Sequence, residues 1–270
     1  MNWQRKGWKM ASSIAWNKIF DDLDLHNHDF DVAPAEITAA QIKQACQGFT
    51  RVTDKEVYRL CKQYSREDHP QVFKDKGLFI LPKRNGSYYI VKGEGYVDIP
   101  NITDEVQDYH STLDFELKSS VVGDSEMQHV DFAYANSLIR TFMNDPSLVL
   151  TIRGRKYSPD FRCKVQNFEL HISSIQTEVD AGYEGRDSIV LVEAKNSSTS
   201  NIIIRQLYFP YRQWTEQVKG KTVHTLFFEK RLIGGELIYY IWQFGFRDVN
   251  DYNSIELNRS ARYRIIQNPQ

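Results

Sequence analysis

Cysteine is scarce. Cys46, Cys61 and Cys163 are the only three in 270 residues, and none forms a CxxC pair or a Cys/His cluster. That excludes a zinc finger or ribbon and a disulfide framework, and a reducing, cytoplasmic setting is expected. Seven histidines are scattered without ligand spacing, so none is assigned a catalytic role. No run of about 18 apolar residues occurs, so no membrane-spanning helix is expected. Met1 to Trp16 mixes Arg5, Lys6 and Lys9 with polar residues where a signal peptide would need an apolar stretch. Repeats and low-complexity tracts are absent too. Charge of one sign is also missing: 34 Lys and Arg against 35 Asp and Glu leave a formal net charge of -1. No global field announces a nucleic-acid partner, and any such partner must be held by local charge.

What is present divides along the chain. Thr38 is placed to cap a helix from Ala39 to Cys46, where Ile42 and Ala45 sit at helical spacing. Thr53 and Glu56 have the spacing of a capping box for a second helix, whose stripe is Val57, Leu60, Cys61 and Tyr64. Two β-rich runs then flank Asn85-Gly86, the pattern of a type I′ hairpin. Helices followed by a hairpin suggest a small winged-helix-like domain over residues 1–100, with Lys83 and Arg84 at its tip. Those two are DNA contacts or simply solubilising charges. Residues 101–124 read as a linker or irregular crossing.

From Ser125 the pattern sharpens. Val130, Ala133, Tyr134, Ser137, Leu138, Thr141 and Phe142 trace one helix face, ended by Asn144-Asp145-Pro146. Extended segments follow at Leu148–Ile152, Phe161–Val165, Phe168–Ile175 and Ser188–Val192. A helix from about Ile202 to Val218 must be kinked or split by Pro210, and strands are expected at Thr222–Phe228 and Leu237–Phe244. Residues 125–270 therefore read as an α/β domain with a mixed central sheet flanked by helices.

The chemistry gathers in one stretch. Ile189 to Val192 is a short apolar run, as in a strand buried on both faces, and it breaks into Glu193-Ala194-Lys195. Residues i and i+2 of a strand share a face, so Glu193 and Lys195 project together. Charges at the end of a buried strand are costly unless paired, exposed or holding a metal. Asp180 lies upstream across a turn containing Gly182 and Gly185, so the two segments are candidates for neighbouring strands. Converging carboxylates from Asp180 and Glu193 suit Mg²⁺, which would polarise a phosphate and lower the pKa of a bound water. Lys195 would orient that water or meet the developing charge. Glu116-Leu117-Lys118 has the same Glu-x-Lys form but lacks the apolar strand before it. A solvated salt bridge at a strand end is the alternative account of Glu193 and Lys195.

Asp180, a spacer and Glu193-Ala194-Lys195 resemble the signature of the PD-(D/E)XK nucleases, whose core runs helix, three strands, helix, strand. Ile80-Leu81-Pro82, Thr151-Ile152-Arg153-Gly154-Arg155 and Gln206-Leu207-Tyr208-Phe209-Pro210 are similar to type II restriction endonucleases with an N-terminal winged-helix-like domain. The likeness covers roughly residues 35–245 in short motifs. It implies a restriction-endonuclease-like core and a Mg²⁺-dependent, sequence-specific cleavage of double-stranded DNA. A homodimer and a cognate DNA methyltransferase as functional partner are implied by analogy with such enzymes.

The upstream acid has two candidates. Pro159-Asp160 is a literal Pro-Asp, but a strand would intervene before Glu193, so Asp180 is preferred. Glu178 and Gln176 share its face if the segment is extended, and Gln206 could orient substrate or water. Glu126, on the helix from Ser125 beside Gln128 and Asp131, could add an acid or simply favour the helix N-terminus. Arg153, Arg155, Lys156, Arg162 and Lys164 stand against the single acid Asp160, an island suited to phosphate contact. Arg205 and Arg212 could also reach the backbone. The alternatives are a less specific DNA, RNA or repair nuclease, and a non-catalytic DNA-binding regulator.

Overall fold

Ser12 opens the first helix by accepting the Ala15 N–H at 3.2 Å. The computed structural model describes residues 12–119 and 122–267, so Arg5, Lys6 and Lys9 lie outside the described residues. Ala15, Trp16, Ile19 and Phe20 form the buried stripe of α1 (Ser13–Asp22), with Trp16 edge-on to Phe73 at 4.6 Å. Strand β1 (Ala35–Thr38) leads into α2 (Ala39–Ala45), which Thr38 caps in a full box with Gln41. Expectation fails at the next helix. Glu56 takes an extended ψ of 115° and divides the segment into α3 (Val52–Lys55) and α4 (Val57–Leu60). Thr53 bonds its neighbour Asp54 instead of capping, so the Thr53/Glu56 box does not form.

Helix α5 (Gln71–Lys76) ends on Gly77, whose φ of 63° only glycine adopts without strain. β2 (Leu78–Arg84) and β3 (Ser87–Lys92) then pair antiparallel, and β1 joins to give the order β1-β3-β2. The Asn85-Gly86 hairpin exists, but only Gly86 has positive φ, at 74°. A type I′ turn needs both residues there. A register shift between Pro82 and Arg84 absorbs the difference.

The larger part is built on a seven-stranded mixed sheet. Its strands are β5 (Gln107–His110), β6 (Val149–Tyr157), β9 (Gln176–Glu184), β10 (Ser188–Lys195), β12 (Thr222–Ile233), β13 (Glu236–Phe246) and β14 (Ile255–Ile266). They lie in the order β5-β14-β13-β12-β10-β9-β6. β6, β9 and β10 are successively antiparallel, whereas β10 and β12 run parallel. A parallel pair needs a crossover, and α8 (Arg205–Gln217) supplies it. On one face Val190 and Val192 pack with Val130, Ala133, Leu138 and Phe142. On the other, Ile189 and Leu191 meet Trp214 and Val218. That two-sided burial accounts for the unbroken apolar run.

Several boundaries differ from expectation. Residues 101–124 include β5, paired in parallel with β14, and are not simply a linker. The helix from Ser125 is two, α6 (Glu126–Ala135) and α7 (Leu138–Met143), because Ser137 turns to φ 65°. β7 (Phe161–Val165) and β8 (Phe168–Ile172) leave the sheet as a separate hairpin inserted between β6 and β9. Residues Asn201–Ile203 form β11, paired with β4 (Tyr96–Asp98), so α8 starts later than expected. Pro210 sits inside α8 without breaking it. Its missing N–H leaves the Gln206 carbonyl without a helical partner. Phe79, Leu81, Tyr89 and Val91 of the N-terminal sheet share one apolar cluster with Phe161, Ile172, Tyr208 and Tyr252. The two parts are therefore packed together.

Candidate active site

β10 and β9 stay in register from Ile189↔Glu184 to Val192↔Ala181. One step further, Asp180 would face Glu193, but its carboxylate Oδ2 takes the Ala194 N–H at 2.8 Å. A side chain thus replaces a ladder acceptor where the strands part, satisfying an amide that would otherwise be orphaned. Glu193 and Lys195 emerge together, as their i, i+2 spacing requires, and their side chains remain only 11% and 22% exposed. Lys195 Nζ donates to Glu193 Oε1 and, at 2.9 Å, to the Ala194 carbonyl. Gln206, in the first turn of α8, donates from Nε2 to the same Glu193 oxygen, while its own Oε1 is buried without a partner. Glu193 and Gln206 line a narrow crevice with Glu178 and Pro210.

The electrostatics follow from that crowding. Burial pushes Glu193 up to about 7; Lys195 opposes this, and the charges of Asp180 and Glu126 add to it. Asp180 is raised by burial first, against the Ala194 bond and Lys195. Glu126, from the N-terminus of α6, is raised by burial, with Lys195 and Asp180 as its strongest charged neighbours. Burial works against the Lys195 ammonium, yet Glu193, Glu126 and Asp180 outweigh it and hold it above the usual range. Three acids therefore share one lysine. Asp180 Oδ1 and Glu193 Oε2 carry no hydrogen bond among the described residues.

Among the described residues, no group of three or more His, Cys, Asp or Glu stands at metal-holding distance. The donor set nonetheless fits a hard divalent cation. Two carboxylates each keep an unused oxygen, and burial first, with neighbouring negative charge second, raises the pKa of both, a cost that a bound cation would offset. Asp180 and Glu193 are the pair that would hold Mg²⁺.

Of the other anticipated residues, Glu178 and Arg153 lie beside the site and the rest scatter. Glu178 is more than half exposed and lies 3.4 Å from Arg155, which faces it across β6 and β9. Gln176 is exposed opposite Tyr157. Asp160 accepts from Ser173 at 2.8 Å and sits 3.5 Å from His171, with no hydrogen bond or ion pair to Glu193 or Lys195. Arg153 is committed internally, to the Asp180 carbonyl at 3.0 Å and to Asp131. Arg155 and Lys156 are exposed along edge strand β6. Arg162 and Lys164 project outward from β7, with Lys164 opposite Glu169. Lys83 is paired with Glu36 at 2.6 Å, and Arg84 is exposed. Arg212 corrects the sequence reading: it is 4% exposed, stacked on Phe161 at 5.1 Å and paired with Glu216. A guanidinium buried in that way packs the back of α8 and does not reach a nucleic-acid backbone.

Two contributors had no sequence signal. Tyr64, from the N-terminal part, lies in the field of Glu193 and Lys195. Glu229 stands beside Lys195 in the β10/β12 register, fully buried, and accepts the Thr199 N–H at 2.8 Å. It pins the loop that leaves β10. Nothing local marks either residue, because each is brought in by packing across distant segments.

Residues 91–264 match a family model described as a domain of unknown function (DUF6997), and residues 13–90 match a second of the same description (DUF6996). No curated protein and no solved structure gives a significant match.

Proposed function

The chain belongs to the DUF6997 family, and we propose that it is a Mg²⁺-dependent nuclease that cuts double-stranded DNA. The carrying observation is the convergence of Asp180, Glu193, Lys195 and Gln206 where β9 and β10 part. The topology supports it. Helices α6 and α7, strands β6, β9 and β10, helix α8 and strand β12 run in the chain order of the PD-(D/E)XK core, with β7 and β8 as an insertion. The N-terminal order of helix, strand, helices and hairpin, with strands β1-β3-β2, supports a winged-helix-like partner domain.

Asp180 and Glu193 would hold the cation, which would supply Lewis acidity toward the phosphate and lower the pKa of a water. Gln206 and the Ala194 amide fix the two carboxylates, so little rearrangement is needed on binding. Lys195 keeps its proton and is placed to donate a hydrogen bond to charge developing on phosphate oxygens. In the reaction a water oxygen bonds to phosphorus, one phosphorus–oxygen ester bond breaks, and the leaving sugar oxygen is protonated.

A type II restriction enzyme is the specific form of this reading, with a second copy to cut the second strand and a methyltransferase to protect the host sequence. A less specific nuclease has one observation in its favour: Arg153, Lys83 and Arg212 are spent on internal partners, which leaves fewer cations for reading bases. Purified protein with a sequenced plasmid separates them. Discrete fragments in Mg²⁺ and none in EDTA support the restriction form, and smears support the less specific one. Intact plasmid with folded, DNA-binding protein would leave the regulator.

A further inference from the structure

Arg205 begins α8, one residue before Gln206, and is half-buried. No carboxylate pairs with its guanidinium and no acceptor takes its protons among the described residues, and its Nε is fully buried without a partner. The titratable groups that feel its charge are neutral. Its charge is felt by Cys61, Tyr64, Tyr88, Tyr96 and Tyr252, all kept protonated by burial. The guanidinium lies 5.5 Å from the centre of the Tyr64 ring, and Lys62 lies 4.8 Å from the same ring. Tyr64 in turn is in the field of Glu193 and Lys195. Withdrawing a charge from water without a counter-ion costs several kcal/mol unless something repays it. Other guanidiniums near the site, those of Arg153 and Arg231, have carboxylate partners.

We propose that Arg205 is the receptor for one backbone phosphate of the bound strand, at the seam between the N-terminal part and the sheet. Resting on the nuclease reading, this gives the N-terminal part a share in the active site: Tyr64 and Lys62 wall the position that the phosphate occupies. A guanidinium offers several N–H donors in a planar fork, the geometry a phosphate accepts. The missing counter-ion is then the substrate itself.

The test compares wild type, Arg205→Met and Arg205→Lys, each checked by thermal melting. The probe is a labelled 30-base-pair duplex of random sequence, titrated with Ca²⁺ in place of Mg²⁺ over a range of salt. One lost phosphate contact should lower the slope of log affinity against log salt by about 0.9 in Arg205→Met. Arg205→Lys, which keeps the charge, should keep the slope. Equal slopes and affinities for wild type and Arg205→Met would overturn the inference. Inorganic phosphate is the second probe, and it separates this inference from the nuclease reading. If wild type binds no duplex but phosphate raises its melting temperature and not that of Arg205→Met, the anion site stands while the nuclease reading falls. An equal phosphate shift in both proteins, or none in either without duplex binding, rejects the site. Arg205→Met should melt at or above wild type, because it removes a charge with no partner. Loss of folding in Arg205→Met would itself contradict the unpaired state of Arg205 and overturn the inference.

Discussion

Two acid–base clusters sit side by side on neighbouring strands, at Glu193/Lys195 on β10 and at Glu229/Arg231 on β12. The parallel register even sets Lys195 next to Glu229. They are chemically alike and physically opposite. Glu229 is fully buried and has every need met: the Thr199 amide on one oxygen, Arg231 Nε at 2.8 Å on the other. Arg231 is stacked in turn over Tyr240 at 4.1 Å. At Glu193, one oxygen takes both donors, the other takes none, and two further acids crowd the same lysine. The satisfied cluster braces the sheet and the loop to β11. The unsatisfied one keeps open oxygens where a ligand can use them. The lesson is that a buried ion pair points to function when its charges do not balance, and to architecture when they do.

The largest effect that separates them is on cleavage. Asp180→Ala and Glu193→Ala should each abolish plasmid cutting in Mg²⁺ while duplex binding in Ca²⁺ persists. Asp160→Ala should cut as wild type does, and a dead Asp160→Ala beside an active Asp180→Ala would reverse the choice of acid. Lys195→Ala should slow single-turnover cleavage by about 10²–10³-fold, the scale for losing one donor to developing charge.

Stability should move the other way round. Glu229→Ala leaves the partly buried Arg231 and the Thr199 amide without their acceptor, and should cost on the order of 3 kcal/mol in urea unfolding. Glu193→Gln should instead stabilise the metal-free protein at pH 8, by on the order of 2 kcal/mol. The sign follows from linkage. Glu193 is held up to about 7 when folded, against an unfolded value of about 4.3. The folded state therefore binds more protons between those values, and stability falls as pH rises through that window. The smallest effect concerns Mg²⁺ itself. Its affinity, measured by calorimetry, should weaken as pH drops below about 7, where Glu193 takes up its proton. A pH-independent affinity between 6 and 8 would remove Glu193 from the metal.

Strand β10 was legible because both of its signals are local. Four consecutive apolar residues report burial on two faces, and i, i+2 spacing reports that Glu193 and Lys195 share a side. That Asp180 and Gln206 come to the same place was also legible, since one turn and one crossover bring them in. The helices of the N-terminal part were less readable. Glu56 divides the helix expected after Thr53, and in the larger part Ser137 divides another, at backbone angles that side-chain spacing does not report. The basic residues were read least well. Charge in a sequence does not reveal its partner, and Arg153 with Asp131, or Lys83 with Glu36, are pairings across distant segments. Arg212 and Arg205 look equivalent on one helix, yet one is paired and buried while the other has no counter-ion among the described residues.

The most direct test of the central claim uses the single isosteric change Glu193→Gln, read in two ways on the same preparation. It should melt above wild type at pH 8 without metal and leave plasmid uncut in Mg²⁺. A variant that cuts at the wild-type rate would contradict the account.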